Sequence, residues 1–155
     1  MIRIRTFPNG LRLVTEQVPS VRSCAMGLYL ETGSRCESED ERGLTHFIEH
    51  MLFKGTRTRD VRRIAETMNY LGGNVNAFTT HEMLCLHART IDHKAPEALD
   101  LLSEMLVESI FPEDEIRRER QVILEELRMV EDTPDDYSVD LFMENLWPGH
   151  PLGEP

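Results

Sequence analysis

The chain has 155 residues, of which 40% are hydrophobic and 29% charged, a balance typical of one folded domain rather than a disordered segment. The net charge of −11 repels nucleic-acid phosphates and argues against a nucleic-acid partner. No hydrophobic run approaches the ~20 residues of a membrane span, so we expect no membrane partner. The three cysteines, Cys24, Cys36 and Cys85, form no C-x-x-C pair and predict a reducing, cytoplasmic location.

The first predicted elements are three strands. Residues 2–7 and 11–17 alternate between apolar and polar side chains, and the Asn9-Gly10 pair between them favours the positive φ of a tight turn. Alternation with a period of two returns over residues 23–31. The chain therefore begins with a predicted hairpin followed by a third strand.

The middle of the chain is predicted to change from helix to strand. A polar loop over residues 32–42 leads to helices over 44–53 and 60–71, the second ended by two glycines. A hairpin follows, with strands at residues 74–80 and 83–90.

Helices dominate the last third of the sequence. Helical spacing predicts elements over residues 94–109, 113–131 and 136–146, the middle one opened by Pro112. The apolar face of the first of these is predicted to consist of Leu99, Leu102, Leu106 and Ile110. The order of elements predicts an α+β fold, in which an antiparallel or mixed β-sheet packs against helices in one domain over residues 1–155.

The segment with a chemical signature is His46-Phe47-Ile48-Glu49-His50. On a helix, His46 and His50 lie one turn apart on the same face, where both imidazoles can bind one metal ion. Glu49 is near enough to act on a water molecule at that ion, and H-x-x-E-H is the motif order of the inverzincins. The alternative is a polar turn of an ordinary helix, which leaves unexplained why polar groups lie among apolar ones.

A catalytic zinc ion needs a third protein ligand. In the predicted helix over residues 113–131, Glu119 and Glu126 lie two turns apart at the edge of the apolar face. A buried carboxylate requires a cation or hydrogen bonds, and a metal held by the two histidines would satisfy one of the two glutamates. The other could orient a ligand, and the alternative is a solvated helix edge with surface ion pairs.

Five segments, in this order along the chain, carry a family resemblance: GSR (33–35), GLTHFIEHMLFKGT (43–56), GGNVNAFT (72–79), VILEE (122–126) and HPLG (150–153). Together they resemble the first domain of the pitrilysin and mitochondrial-processing-peptidase family of zinc peptidases. Several long motifs in the right order are a far more specific signal than a pentapeptide alone.

The resemblance implies a function and a role for each site residue. It implies a zinc-dependent endopeptidase that hydrolyses extended peptides or unfolded polypeptide segments through a metal-activated water. By resemblance, one Zn²⁺ ion is held by His46, His50 and Glu126, and Glu49 is the general base. By the same resemblance, Glu119 is an accessory acidic residue behind the ligands. The strand implied to bind substrate contains Asn76, Ala77 and Phe78.

The resemblance also implies a partner. Members of the family carry a second, related domain or subunit that closes the cleft, and their first domain runs further than this chain. We therefore expect a fragment of a catalytic domain, whose activity alone is not assured. The family also contains non-catalytic partner domains, but the intact His46, Glu49, His50 and Glu126 favour the peptidase.

Overall fold

A computed structural model describes residues 1–153 and confirms the predicted α+β class. The five strands found there are β1 (Ile2–Thr6), β2 (Arg12–Glu16), β3 (Ser23–Leu30), β4 (Asn74–Thr79) and β5 (Leu84–Ile91). The five α-helices of the same region are α1 (Leu44–Met51), α2 (Val61–Leu71), α3 (Ala95–Val107), α4 (Glu113–Glu131) and α5 (Pro134–Leu146). Every predicted strand and helix is present, with ends that differ by a few residues.

The differences from the predicted elements are local. The loop over residues 32–42 contains two short 3₁₀ turns, Ser34–Cys36 and Glu39–Glu41. The last helix begins at Pro134, two residues before the predicted start, because proline at the first helical turn leaves no hydrogen bond unmade. A third 3₁₀ turn, Asp92–Lys94, precedes α3, and a fourth, Pro151–Gly153, lies in the segment predicted to be irregular.

The strands form two antiparallel sheets. β1 and β2 make a two-stranded hairpin with Ile4 opposite Val14. β3, β5 and β4 form a sheet in which β5 is central, with Leu28 opposite Leu86 and Leu86 opposite Ala77. Within residues 1–153, β4 is therefore an edge strand, and the sheet is antiparallel rather than mixed.

The core lies between this sheet and helices α2 and α3, with α3 packed on β5 and β3. Its buried residues are Leu52, Ile64, Leu71, Val75, Ala77, Leu84, Leu86, Ala88, Ala98, Leu101, Leu102 and Met105. The predicted apolar face of α3 is rotated from the real one. Leu99 and Ile110 are about half exposed, at 48% and 52%, whereas Ala98 and Leu101 are fully buried.

Two glycines connect α2 to β4, and the second of them lies very close to the backbone of β5. Gly72 ends α2 in the left-handed region at φ 67°, which favours glycine. A Cβ atom on Gly73 would lie 1.8 Å from the carbonyl oxygen of Arg89, so only glycine fits there without displacing the backbone. This contact fixes the start of β4 against β5.

Helix α1 packs against β4 on one side and against α4 on the other, and α5 packs against α4. The motif helix thus lies between the edge strand and the long helix that was predicted to supply the third ligand. Among the described residues, no helix is long and apolar enough to cross a membrane.

Candidate metal centre

Helix α1 positions the motif, and an acidic side chain from the preceding loop caps its start. The carboxylate of Glu37 accepts hydrogen bonds from the backbone N–H groups of Gly43 (2.7 Å) and Thr45 (2.6 Å). The first N–H groups of a helix lack partners within it, and an acidic group there also favours the helix dipole. Glu37 therefore stabilises the turn that precedes His46.

The two histidines of α1 present the same ring nitrogen to one point. The Nε2 atoms of His46 and His50 are 3.2 Å apart, and the ring planes are nearly perpendicular at 87°. Ligands of a tetrahedral zinc ion with bonds of about 2.0–2.1 Å are separated by about 3.3 Å. The separation in the structure thus matches that of two ligands of one ion.

Glu126 of α4 approaches the same point from the opposite side. Its Oε2 atom lies 3.5 Å from Nε2 of His50 and 3.8 Å from Nε2 of His46. A ligand atom from each of the three residues falls within 4.8 Å of the others. Two imidazoles and one carboxylate are a donor set typical of catalytic zinc sites, so the residues fit the metal that the resemblance implies.

Glu119 lies behind His50 rather than beside the shared point. Its Oε2 atom is 3.1 Å from Nδ1 of His50, and its Oε1 atom is 2.6 Å from Nζ of Lys54. Burial raises the pKa of Glu119, but hydrogen bonds and charge from Lys54 and from His50 outweigh it and bring the pKa below its ordinary value of 4.5.

The ionised Glu119 determines which nitrogen of His50 is free. A carboxylate can only accept hydrogen bonds, so Nδ1 of His50 carries the proton and donates it to Glu119. The lone pair is then on Nε2, which faces His46. This is the arrangement in which an outer carboxylate orients a metal-binding imidazole.

Glu49 lies on α1 next to a small cavity and is held by β4. The hydroxyl of Thr79 donates a hydrogen bond of 2.8 Å to Oε2 of Glu49. The cavity has a volume of about 230 Å³ and is lined by Glu49, His50, Phe53, Lys54, Asn76 and Glu119. A water molecule or a substrate group in this cavity would be next to both Glu49 and His50.

The predicted substrate-binding residues lie on β4 in three different environments. Asn76 lines the cavity, and its Oδ1 atom accepts a hydrogen bond of 3.0 Å from the backbone of Ala77. Ala77 is buried toward the core, whereas Phe78 is 41% exposed on the other face, near the ring of His87. Their role in substrate binding stays a prediction.

Sequence reasoning missed three residues that support the site. Glu37 lies in the predicted polar loop over residues 32–42, Lys54 directly follows the predicted helix over 44–53, and Thr79 lies on the predicted strand over 74–80. Only contacts between distant segments reveal their roles. By contrast, the capping box formed by Ser38 and Glu41 in the same loop is a local pattern that the sequence alone can indicate.

Comparisons with known proteins identify the family to which this fold belongs. The profile of the insulinase family, peptidase family M16, matches residues 12–155. The chain therefore belongs to peptidase family M16, which confirms the resemblance inferred from the motifs.

Relatives match nearly the whole chain but are much longer. The chain is 46% identical to the uncharacterized zinc protease YmxG of Bacillus subtilis (strain 168), covering all of this chain and 38% of the relative. It is 44% identical to the uncharacterized zinc protease SCO5738 of Streptomyces coelicolor, over 99% of this chain and 34% of the relative. The chain thus spans little more than a third of the length of these relatives.

Solved structures share the fold. A protease from Helicobacter pylori superposes with a TM-score of 0.93 at 25% identity, over 99% of this chain and 38% of that one. A peptidase M16 inactive domain from Pseudomonas fluorescens gives a TM-score of 0.89 at 20% identity, with the same coverage. At 20% identity the second likeness concerns the fold alone.

Proposed function

We propose that this chain is the metal-binding part of a zinc-dependent endopeptidase that hydrolyses extended peptides or unfolded polypeptide segments. The observation that carries the proposal is the convergence of Nε2 of His46, Nε2 of His50 and Oε2 of Glu126 beside Glu49. The names of the relatives as zinc proteases agree with it.

In the proposed reaction, the three ligands hold one zinc ion, with Glu126 supplying the only negative charge among them. When bound, zinc lowers the pKa of water toward ~7 and polarises the peptide carbonyl. Glu49 accepts a proton from the attacking water and then donates it to the amine that leaves as the C–N bond breaks. Thr79 holds the Glu49 carboxylate at the edge of the cavity while it does so.

The substrate is proposed to bind along β4. Within residues 1–153, β4 is an edge strand, along which an extended peptide could pair, and Asn76 lines the adjacent cavity. An extended segment would gain main-chain hydrogen bonds with little dependence on its sequence. A second related domain or subunit is proposed to close this cleft, in keeping with the greater length of the relatives. A cytoplasmic location likewise stays a prediction from cysteine content.

Metal content and hydrolysis together test the proposal. The purified chain is expected to bind one zinc ion, and peptide cleavage is expected to stop with chelator and in Glu49→Gln, which should retain zinc. A protein that binds no zinc would overturn the proposal. Stoichiometric zinc without hydrolysis would indicate an incomplete enzyme rather than the alternative, a non-catalytic partner subunit or structural domain of the same family.

A further inference from the structure

We propose that Lys54 is a positioning residue for the metal ligand His50 and acts through Glu119. The proposal rests on the proposed zinc site, and it assigns a role to a side chain that binds neither metal nor substrate. The three side chains form one chain of contacts, from Lys54 Nζ through both oxygens of Glu119 to Nδ1 of His50.

The contacts are largely shielded from water. The side chain of Glu119 is 8% exposed, that of His50 18% and that of Lys54 24%. Charge-assisted hydrogen bonds are stronger when partly desolvated, and a buried carboxylate that loses its cation is costly. The ion pair between Lys54 and Glu119 therefore differs from the exposed pairs on α4, such as Arg128 with Glu125.

Lys54 and His50 hold opposite oxygens of one carboxylate. Lys54 bonds to Oε1 and His50 to Oε2, so rotation of the carboxylate would break one contact or the other. Glu119 is then fixed as an acceptor for His50 and is not free to become a metal ligand itself. Glu126, whose side chain is 44% exposed, keeps its Oε2 atom facing the histidines.

The position of Lys54 follows from the end of α1. The backbone N–H of Lys54 donates to the carbonyl of Met51 at 3.0 Å, so the chain continues to turn after the helix. After this turn, the lysine side chain contacts Glu119 of α4, the same residue that His50 contacts. Without the ammonium group, Oε1 of Glu119 would lose its charged partner, and the carboxylate would be held only through the contact of Oε2 with His50.

The first measurement is the tautomer of His50 in zinc-free protein, read from long-range ¹H–¹⁵N correlation spectra at a pH where the ring is neutral. Wild type is expected to carry the proton on Nδ1. Lys54→Met is expected to shift His50 toward a mixture of tautomers, whereas Lys54→Arg should keep the wild-type form because it keeps a cation. Lys94→Met, which removes an ammonium placed over the ring of Tyr70, is the matched control and should change nothing.

The second measurement is zinc affinity by competition with a chromophoric chelator. Loss of an outer partner typically weakens a metal site 10–100-fold, so we expect about a tenfold loss in Lys54→Met. Because Lys54 acts through Glu119, the double variant Lys54→Met/Glu119→Gln should bind zinc as Glu119→Gln does. If Lys54→Met unfolds, Lys54→Gln replaces it in both comparisons.

Two results would overturn the proposal. One is a wild-type tautomer with unchanged zinc affinity in Lys54→Met. The other is additive losses in the double variant, which would mean that Lys54 acts independently of Glu119. Failure of the zinc site itself is a separate outcome, because the tautomer is measured without metal and still tests the role of Lys54.

Discussion

The Nε2 atoms of His46 and His50 face each other at 3.2 Å, with Oε2 of Glu126 within 3.8 Å of both. Either Nε2 of His46 donates a hydrogen bond to the lone pair on Nε2 of His50, or both Nε2 atoms present lone pairs that repel each other. In the second case, a cation between the two rings would make the arrangement favourable. This pair is therefore the feature on which the metal assignment depends.

Substituting Glu126 tests that assignment. Glu126→Gln is expected to weaken zinc binding by more than about 100-fold, since even loss of an outer-sphere partner costs 10–100-fold. Glu125→Gln, the neighbouring residue with a 66% exposed side chain, is the control and should bind zinc as wild type does. Equal affinities of the two variants, measured by chelator competition, would remove Glu126 from the ligand set.

The lowered pKa of Glu119 predicts a pH-dependent contribution to stability. A carboxyl whose pKa is lower in the folded state stabilises the fold above its unfolded pKa, and that contribution is lost as the pH falls through the folded value. In zinc-free protein, wild type should have a higher free energy of unfolding than Glu119→Gln at pH 7. This difference should shrink as the pH falls below 4.5, the ordinary pKa of a glutamate side chain. Urea unfolding measured across this range checks it, and a difference independent of pH would contradict it.

Glu37 predicts a stability effect at the start of α1. Glu37→Gln should lower the free energy of unfolding by about 0.5–2 kcal/mol, the range for loss of a helix cap. Glu39→Gln removes a charge from the same loop and is expected to have little effect. Because His46 lies one residue beyond the capped turn, zinc affinity should also fall modestly in Glu37→Gln but not in Glu39→Gln. The same stability for both variants would rule out the capping role.

The true core face of α3 can be tested with two leucines. Leu101→Ala removes a fully buried side chain and should cost about 2–5 kcal/mol. Leu99→Ala alters a side chain that is 48% exposed and should cost about 0.5 kcal/mol or less. Denaturant unfolding of the two variants separates these values. If Leu99→Ala were the more damaging change, the packing of α3 described above would be wrong.

The sequence was sufficient to predict the elements and the class of fold because its periodicity is regular and glycine and proline mark the ends of several elements. It was less informative about which face of a helix is buried. Of the predicted face of α3, Leu102 is buried, whereas Leu99 is half exposed and Ala98 and Leu101 are buried in the core instead. Choosing between such faces requires the position of β5, which no local pattern provides.

The candidate site, like the fold, was predicted only in part from the sequence. The spacing of His46 and His50 is a local property of one helix, so both could be identified from the sequence. The assignment of Glu126 as ligand and Glu119 as accessory residue came from the family resemblance, because helical periodicity placed both at the same edge. The contacts of Lys54 with Glu119 and of Thr79 with Glu49 join segments 65 and 30 residues apart, and no periodicity connects them.

Of the nineteen residues of α4, one is buried, and it is the acidic residue Glu119. The apolar side chains Ile116, Ile123 and Val130 of this nineteen-residue helix are only half-buried, and its contacts with α1 include the polar ones made by Glu119 and Glu126. A zinc ion bound by His46 and His50 of α1 and by Glu126 of α4 would link the two helices directly. We therefore expect removal of the metal to weaken the contact between α4 and α1, so that loss of the metal and loosening of α4 are coupled.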